Sequence, residues 1–480
     1  MSGSLTIAII ALYFSLLMVI SYFTGRESTD NDSFFLGNRK SPWWIVAIGM
    51  VGSSISGVSF ISVPGMVGKI DFTYMQTVFG FFFGYVVIAN ILLPLYYKLN
   101  LTSIYTYLEQ RFGKNAYKTG ASFFLLSKTI GAAARLYIVA LILQTVVFDT
   151  WHVPFALTVL VTILLIWIYT FRSGIKTIVW TDTLQTLVMI SALVLLVYEV
   201  AVRLNITGIP DMFDKISAGG HYRIFEFTDW HSRQNFFKQF FSGIFIAIVM
   251  TGLDQDMMQK NLSCKSLKDA QKNMYWYGAS FIPVNFLFLS LGAMLLLLAQ
   301  QMNITLPAQG DEVLPLFATT YLGNTVYILF VVGIIAAAFS SADSALAALT
   351  TSVSVDLLDV EHKSKTAARK TRIYTHIIIS IAFVAIILLF RAINDKSVID
   401  AIYTIASYTY GPLLGMFAFG LFNKKNVNDK YIPYIAVASP VICGILDTVS
   451  KNYWGYTFGY ELLMFNGLIT FTGMYFSTKK

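Results

Sequence analysis

Long apolar runs recur along the whole chain and are separated by short polar stretches. A helix needs roughly 20 apolar residues to cross about 30 Å of hydrocarbon. Thirteen segments come close to this length, and we number them span 0 to span 12. They cover residues 6–24, 43–67, 76–97, 121–147, 153–171, 180–202, 239–258, 275–300, 323–349, 373–391, 398–421, 431–449 and 459–477. This pattern predicts an all-α polytopic membrane protein with a single transmembrane domain over residues 1–480.

Composition and charge support this prediction and orient the chain. Charged residues make up 12% of the sequence, against about 25% in soluble domains. If the N-terminus lies outside, 23 of the 34 Lys and Arg fall in loops predicted to be cytoplasmic. Such an excess is typical of the positive-inside rule and predicts a cytoplasmic C-terminus. The net charge of +8 therefore reflects topology and attraction to anionic membrane lipid, and no nucleic-acid partner is expected.

Span 1 is interrupted by small and polar residues. Residues 49–65 read GMVGSSISGVSFISVPG, which combines Gly, Ser and Pro in the middle of an apolar run. Unwound backbone at membrane depth is tolerated only against protein or a water-filled cavity, and broken helices hold ions and substrates in secondary transporters. The alternative is a tightly packed contact between helices. The sequence alone leaves both interpretations open.

Span 8 carries hydroxyls and a carboxylate on one helical face. Ser340, Ser341, Asp343 and Ser344 lie within about one helical turn of each other. A carboxylate at mid-membrane costs roughly 2.5–3.5 kcal/mol on insertion scales, so it needs a partner. Hard oxygen ligands suit a small hard cation. The pattern favours a cation site over the alternative, a purely structural hydrogen bond from Asp343 to a neighbouring helix.

Three further charged residues lie in or near spans. Arg135, inside span 3, requires an anion, and it either captures a substrate carboxylate or pairs with a structural acid. Lys128 lies nearer the cytoplasm and is expected to extend its ammonium to the membrane surface. Asp182 opens span 5 and, judged alone, complements the helix dipole.

Five ordered segments resemble the sodium:solute symporters, the family of the sodium–glucose, sodium–iodide, multivitamin and bacterial sialic acid transporters. The resemblance covers nearly the whole chain. The family's LeuT-like fold implies two inverted five-helix repeats, here about 43–202 and 239–421, preceded by span 0 and followed by spans 11–12 at about 431–477. The five segments are GSSISGVSFISVPG in span 1, YTYLEQRFG at 105–113, SGIKTIVWTDTLQ at 173–185, DQDMMQKNLSCKSLKDAQ at 254–271 and the serine-rich face of span 8.

The resemblance also implies sodium ligands. A first Na⁺ site would use the backbone carbonyls of Gly52, Ile55 and Ala337 and the hydroxyls of Ser340 and Ser341. A second site, found in the sialic acid branch, would use Asp182, Ser340, Asp343 and Ser344. Asp343 departs from that branch, which has serine there, so this carboxylate either tightens a second Na⁺, holds a proton or pairs with a base.

Substrate residues follow from the same resemblance. Arg135 matches the arginine that binds the substrate carboxylate in the sialic acid branch. Val78 stands where the sialic acid branch has a glutamine, although Gln76 is near. Residues 76–97 contain no glutamate, whereas the sodium–glucose branch uses a glutamate in this span. The expected solute is therefore a small carboxylate-bearing or other anionic molecule, such as a sialic acid or a monocarboxylate. The complete set of expected substrate-binding residues is Ser54, Ser56, Ser59, Tyr74, Gln76 and Arg135.

The expected function is Na⁺-coupled symport of this solute into the cell by alternating access, in the plasma or inner membrane. The alternatives are a Na⁺-coupled sugar, polyol or vitamin symporter, and a proton-coupled symporter that uses Asp343 and Asp182. An enzyme is not expected, because the five histidines form no paired metal motif and no G-x-S-x-G segment occurs. The expected partners are the solute, Na⁺ and membrane lipid, without an obligate protein partner.

Overall fold

The computed structural model describes residues 3–25, 35–170, 174–360, 363–393 and 398–478. Its helices are labelled α1 to α19 in chain order. They are Gly3–Gly25 (α1), Trp43–Ser54 (α2), Gly57–Ile70 (α3), Tyr74–Lys98 (α4), Thr106–Arg111 (α5), Lys114–Leu143 (α6), Phe155–Thr170 (α7), Ile175–Arg203 (α8), Ile209–Ala218 (α9), Phe236–Gly252 (α10), Gln255–Leu262 (α11), Leu267–Met302 (α12), Val313–Leu316 (α13), Gly323–Leu357 (α14), Lys365–Ile393 (α15), Val398–Thr409 (α16), Gly411–Phe422 (α17), Ile432–Trp454 (α18) and Leu462–Phe476 (α19).

The all-helical architecture predicted from hydropathy is confirmed. Within the described ranges, seven helices are long and apolar enough to cross a membrane, and three bent pairs of helices reach that length together. Three shorter apolar helices, Ile10–Thr24, Phe155–Ile168 and Leu462–Phe476, coincide with predicted spans 0, 4 and 12. The expected end of span 4 at residue 171 lies outside the described residues. The count of thirteen membrane crossings stays a prediction.

The interruption predicted in span 1 is present. Helices α2 and α3 meet at an angle of 60°, and Ile55 and Ser56 between them leave the helical conformation. The last four carbonyls of a helix have no continuing turn to donate to them. The break therefore exposes backbone oxygens of α2 in the interior of the bundle, where hydrocarbon provides no substitute donors.

A second break was not foreseen from the sequence. Helices α10 and α11 meet at 66°, where the side chain of Asp254 caps α11 by accepting from the backbone N–H groups of Asp256 and Met257. Span 6 was predicted to end at residue 258 and to be followed by a cytoplasmic loop, and this was wrong, because α11 continues to Leu262 and is buried along its whole length. Lys260, which was counted among the cytoplasmic loop cations, lies inside the bundle.

Small residues bring the helices around these breaks into close contact. A Cβ added to Gly52 of α2 would lie 2.0 Å from Oγ1 of Thr186 of α8. In the same way, a Cβ on Gly80 of α4 would lie 2.1 Å from the carbonyl oxygen of Phe240 of α10. Such contacts are the means by which membrane helices approach each other in the absence of a hydrophobic driving force. They place the broken helix α2 directly against α8.

Candidate functional site

Asp182 lies where α2, α8, α11 and α14 meet, and its side chain is 0% exposed. Its Oδ1 accepts a hydrogen bond from Ser340 at 2.8 Å. Its Oδ2 accepts from Ser53 at 2.9 Å and from Ser344 at 3.1 Å. Since α8 begins at Ile175, Asp182 lies two turns inside the helix. The interpretation as an acid that complements the helix dipole is therefore wrong, and Asp182 instead joins α8 to α2 and α14.

The same carboxylate forms an ion pair that the sequence did not reveal. The ammonium of Lys260 on α11 lies 2.8 Å from Oδ2 of Asp182 and donates to the hydroxyl of Ser53. It also lies 3.6 Å from Asp256. The Lys260 side chain is 1% exposed, so bulk water does not screen this pair. A positive charge is thus already present at the cluster expected to hold a second Na⁺.

The five residues expected at the first Na⁺ site are all buried, Gly52 and Ile55 at the end of α2 and Ala337, Ser340 and Ser341 in α14. The hydroxyls of Ser53 and Ser340 are 3.4 Å apart across this contact. Ser341 donates its proton back to its own helix, to Ala338 at 3.0 Å, which leaves its oxygen lone pairs available. The break next to Ile55 supplies free carbonyls on the α2 side. Neutral carbonyl and hydroxyl oxygens suit Na⁺, a hard monovalent cation.

Asp343 lies next to Ser344 on α14. It is fully buried and accepts from the backbone N–H of Ser344 at 2.6 Å. It also interacts electrostatically with Tyr13 of α1, and Phe339, one turn away on α14, packs against Phe14 of α1. Of the four residues predicted for a second Na⁺ site, Asp182, Ser340 and Ser344 are in direct hydrogen-bonded contact. Asp343 interacts electrostatically with both Lys260 and Tyr13.

A central cavity of about 80 Å³ lies beside the break in α2. Arg135 and Ser54, two of the predicted substrate residues, line it, and so do Lys128 and Asp254. Its wall is formed by α2, α4, α6, α10, α11, α12 and α16. The cavity therefore combines a break in a helix with charged side chains from two neighbouring helices, as expected for a binding site at membrane depth.

The two cations of α6 in this cavity differ in their partners. Among the described residues, Arg135 has neither an ion pair nor a hydrogen bond, and its side chain is half-buried. Lys128 lies 2.8 Å from Asp256 and 3.1 Å from Asp254, both buried. The expectation that Lys128 extends to the membrane surface was wrong, because α11 brings two carboxylates to it. Arg135 is thus the cation available to an incoming anion.

Hydroxyl groups from three helices meet at one side of the central cavity. Ser54 lies 2.6 Å from the hydroxyl of Tyr277, which lies 3.0 Å from the hydroxyl of Tyr85. All three residues line the cavity. Sequence reasoning missed both tyrosines, because an aromatic residue in an apolar span is ordinarily a packing residue. They extend the polar surface begun by Ser54.

Three tyrosines separate the central cavity from a larger one, which we call the vestibule. The hydroxyls of Tyr74 and Tyr403 are 3.1 Å apart, and the rings of Tyr403 and Tyr460 pack edge to face at 5.0 Å. Tyr403 lines the central cavity, whereas Tyr460 lines the vestibule, which measures about 830 Å³ and includes Lys69 and Lys451. Tyr74 is therefore part of a partition rather than of the cavity wall.

The other predicted substrate residues lie away from the central cavity. Gln76 donates to the carbonyl of Gln234 at 2.8 Å and accepts from the backbone N–H of Glu226 at 3.0 Å. These bonds hold the segment before α10 and leave Gln76 fully buried. Ser56 is buried at the start of α3, and Ser59 follows within that helix. The cavity lining includes neither serine and does not include Gln76.

Comparison with known proteins places this geometry in a family. The sequence model of the sodium:solute symporter family matches residues 34–430. The sodium/sialic acid symporter NanT of Aliivibrio fischeri is 24% identical over 92% of the chain and 87% of its own length. The sodium/sialic acid symporter SiaT of Proteus mirabilis is 24% identical over 88% of the chain and 86% of its own length. A solved structure of a Na⁺-coupled sialic acid symporter in a substrate-bound, outward-open state covers 98% of both chains with a TM-score of 0.83 at 21% identity.

Proposed function

Because the chain belongs to the sodium:solute symporter family, we propose that it carries a small anionic organic solute into the cell together with Na⁺. The observation that carries this proposal is the position of Arg135, a cation that forms no ion pair or hydrogen bond with a described residue, in a cavity beside a helix break. A guanidinium at membrane depth requires an anion. A carboxylate-bearing solute provides that anion and accepts two parallel hydrogen bonds from the guanidinium.

We propose that the chain crosses the plasma or inner membrane thirteen times. The N-terminus would then lie outside the cell and the C-terminus in the cytoplasm. The breaks support two proposed inverted repeats, about 43–202 and 239–421, because α2–α3 and α10–α11 are bent pairs at the proposed start of each repeat. Paired discontinuous helices in the two halves mark the binding site of such transporters. In this orientation the vestibule opens outside and Lys128 lies on the cytoplasmic side.

We assign the first Na⁺ to the contact of α2 with α14. The carbonyls of Gly52, Ile55 and Ala337 and the hydroxyls of Ser340 and Ser341 would hold it. These atoms belong to two helices from different repeats, so the ion stabilises one arrangement of the repeats over another. Arg135 and Ser54 would receive the solute, and relatives that carry sialic acid support a carboxylate among its groups.

The transport cycle follows from these positions. Solute and Na⁺ enter from the vestibule after the contact of Tyr74 with Tyr403 opens, and they bind in the central cavity and at α2–α14. The repeats then rock, and the cytoplasmic side opens. Movement of Na⁺ down its concentration gradient drives accumulation of the solute, and each net positive charge that crosses 100 mV inward with it adds about 2.3 kcal/mol.

Solute uptake into proteoliposomes tests the coupling ion. With an imposed Na⁺ gradient we expect accumulation of a sialic acid or a small monocarboxylate, whereas a pH gradient without Na⁺ should give none. The reason is that the proposed ligands are neutral carbonyls and hydroxyls, which bind a metal ion and do not take up a proton. Accumulation driven by the pH gradient alone would instead favour proton coupling through Asp182 and Asp343.

Removing one hydroxyl should weaken Na⁺ binding. In Ser341→Ala we expect the Na⁺ concentration for half-maximal uptake to rise about tenfold, since one coordinating oxygen contributes on the order of 1.4 kcal/mol. Ser290→Ala is the matched control, because Ser290 on α12 is equally buried and also donates to its own helix, at Phe286. An unchanged Na⁺ dependence in Ser341→Ala would remove this residue from the site.

A further inference from the structure

The ammonium of Lys260 is surrounded by oxygen atoms in the manner of a bound cation. Oδ2 of Asp182 lies at 2.8 Å, Oδ1 of Asp256 lies at 3.6 Å, and the hydroxyl of Ser53 accepts a hydrogen bond from it. These oxygens come from α2, α8 and α11. An ammonium is a compact point charge, and here it lies in direct contact with Asp182 and Ser53 and forms a longer ion pair with Asp256.

This ammonium shares its carboxylate with the residues expected to hold a second Na⁺. Asp182 accepts from Ser340 and Ser344 of α14 at 2.8 and 3.1 Å while it pairs with Lys260. Both hydroxyl protons are directed at the carboxylate, so the cluster is complete as an ion pair. A Na⁺ added here would lie next to a buried positive charge, and at low dielectric two like charges in contact repel strongly.

The position of Lys260 is fixed by the helix that carries it. Helix α11 is buried and is capped by Asp254, and Asp256 on its first turn also binds Lys128 at 2.8 Å. Lys128, Asp256, Lys260 and Asp182 thus form a continuous chain of alternating charges through the bundle. Each ammonium lies close to two carboxylates, which holds Lys260 in place.

We propose that Lys260 is a covalently attached cation that occupies the second cation position, so that the chain binds a single Na⁺. This inference rests on the proposed function, because that single Na⁺ is the one assigned to the contact of α2 with α14. Lys260 would then set the coupling ratio at one ion per solute. It would also retain the contact of α8 with α2 and α14 that a second Na⁺ would otherwise provide.

Equilibrium binding of ²²Na⁺ to the purified full-length protein tests this without knowledge of the solute. We expect one ion per chain in the wild type and one in Lys260→Arg, which keeps the charge. In Lys260→Met we expect two, because the freed carboxylate of Asp182 and its serine neighbours become a site. The double variant Lys260→Met/Asp182→Asn removes that carboxylate and should return the count to one.

The outcomes separate this inference from the proposed function. Two ions in the wild type would overturn the inference and leave Na⁺ coupling intact, and this measurement does not depend on whether a variant folds. A count of one in folded Lys260→Met would also overturn it. Absence of Na⁺ binding in the wild type would contradict the proposed function itself, and the inference with it.

Discussion

Lys128→Met is expected to destabilise the protein by about 3–5 kcal/mol, the range found when one partner of a buried ion pair is removed. The ammonium of Lys128 lies 3.1 Å from Asp254 and 2.8 Å from Asp256, and all three side chains are buried. Without it, the donors to Asp254 that remain among the described residues are neutral, and they include the hydroxyl of Tyr410 at 2.7 Å. The measurement is thermal or denaturant unfolding of the purified protein in detergent.

Two variants control for packing and for charge. Ser127→Ala, at the neighbouring buried position, should change stability little, because the Ser127 hydroxyl has no hydrogen-bond partner within the described part of the chain. Lys128→Arg retains the charge, so its stability should fall less than that of Lys128→Met. If Lys128→Met unfolds like the wild type, the two carboxylates do not depend on this lysine, and the ion chain through α11 is not a source of stability.

Arg135→Gln is expected to weaken binding of the anionic solute about a hundredfold. Charge-assisted hydrogen bonds contribute about 1.5–3 kcal/mol each, and 1.4 kcal/mol corresponds to a tenfold change in affinity. Arg135 forms no ion pair or hydrogen bond with a described residue, and Asp256, which senses its charge, remains paired with Lys128 and Lys260. Its removal therefore leaves no buried carboxylate unpaired, and the protein should remain folded. Thermal-shift titration with a sialic acid and with small monocarboxylates, at constant Na⁺, measures the affinity.

The specificity of this loss can be checked on the same helix. Lys118→Gln removes an exposed cation of α6 and should leave solute affinity unchanged. Arg135→Lys keeps the charge but loses the planar fork that matches a carboxylate, so an intermediate loss is expected. Stabilisation by a neutral hexose that persists in Arg135→Gln would contradict anion recognition and favour the sugar symporter considered from the sequence.

The break in span 1 and the serine face of span 8 were predictable because their signals are local. Glycine, serine and proline within an apolar run disfavour a continuous helix wherever the run is placed. The break at Asp254 also has a local signal, an acidic N-cap followed by Asp256 in the first turn. Residues 239–262 contain no comparable cluster of helix breakers, so hydropathy predicts one continuous helix up to residue 258. The resemblance to the family identifies the segment 254–271 but does not by itself indicate a break within it.

The sequence by itself determined that the chain is an all-helical membrane protein, and that polar residues interrupt two of its spans. This follows because hydropathy measures the cost of moving one segment from water into hydrocarbon, and each segment carries that information alone. Only the tertiary structure decided which charges meet. Lys128 and Lys260 were assigned to water from their positions near predicted helix ends, yet both are buried against carboxylates. The free energy of such a pair depends on the distance between residues remote in the chain, which no single segment specifies.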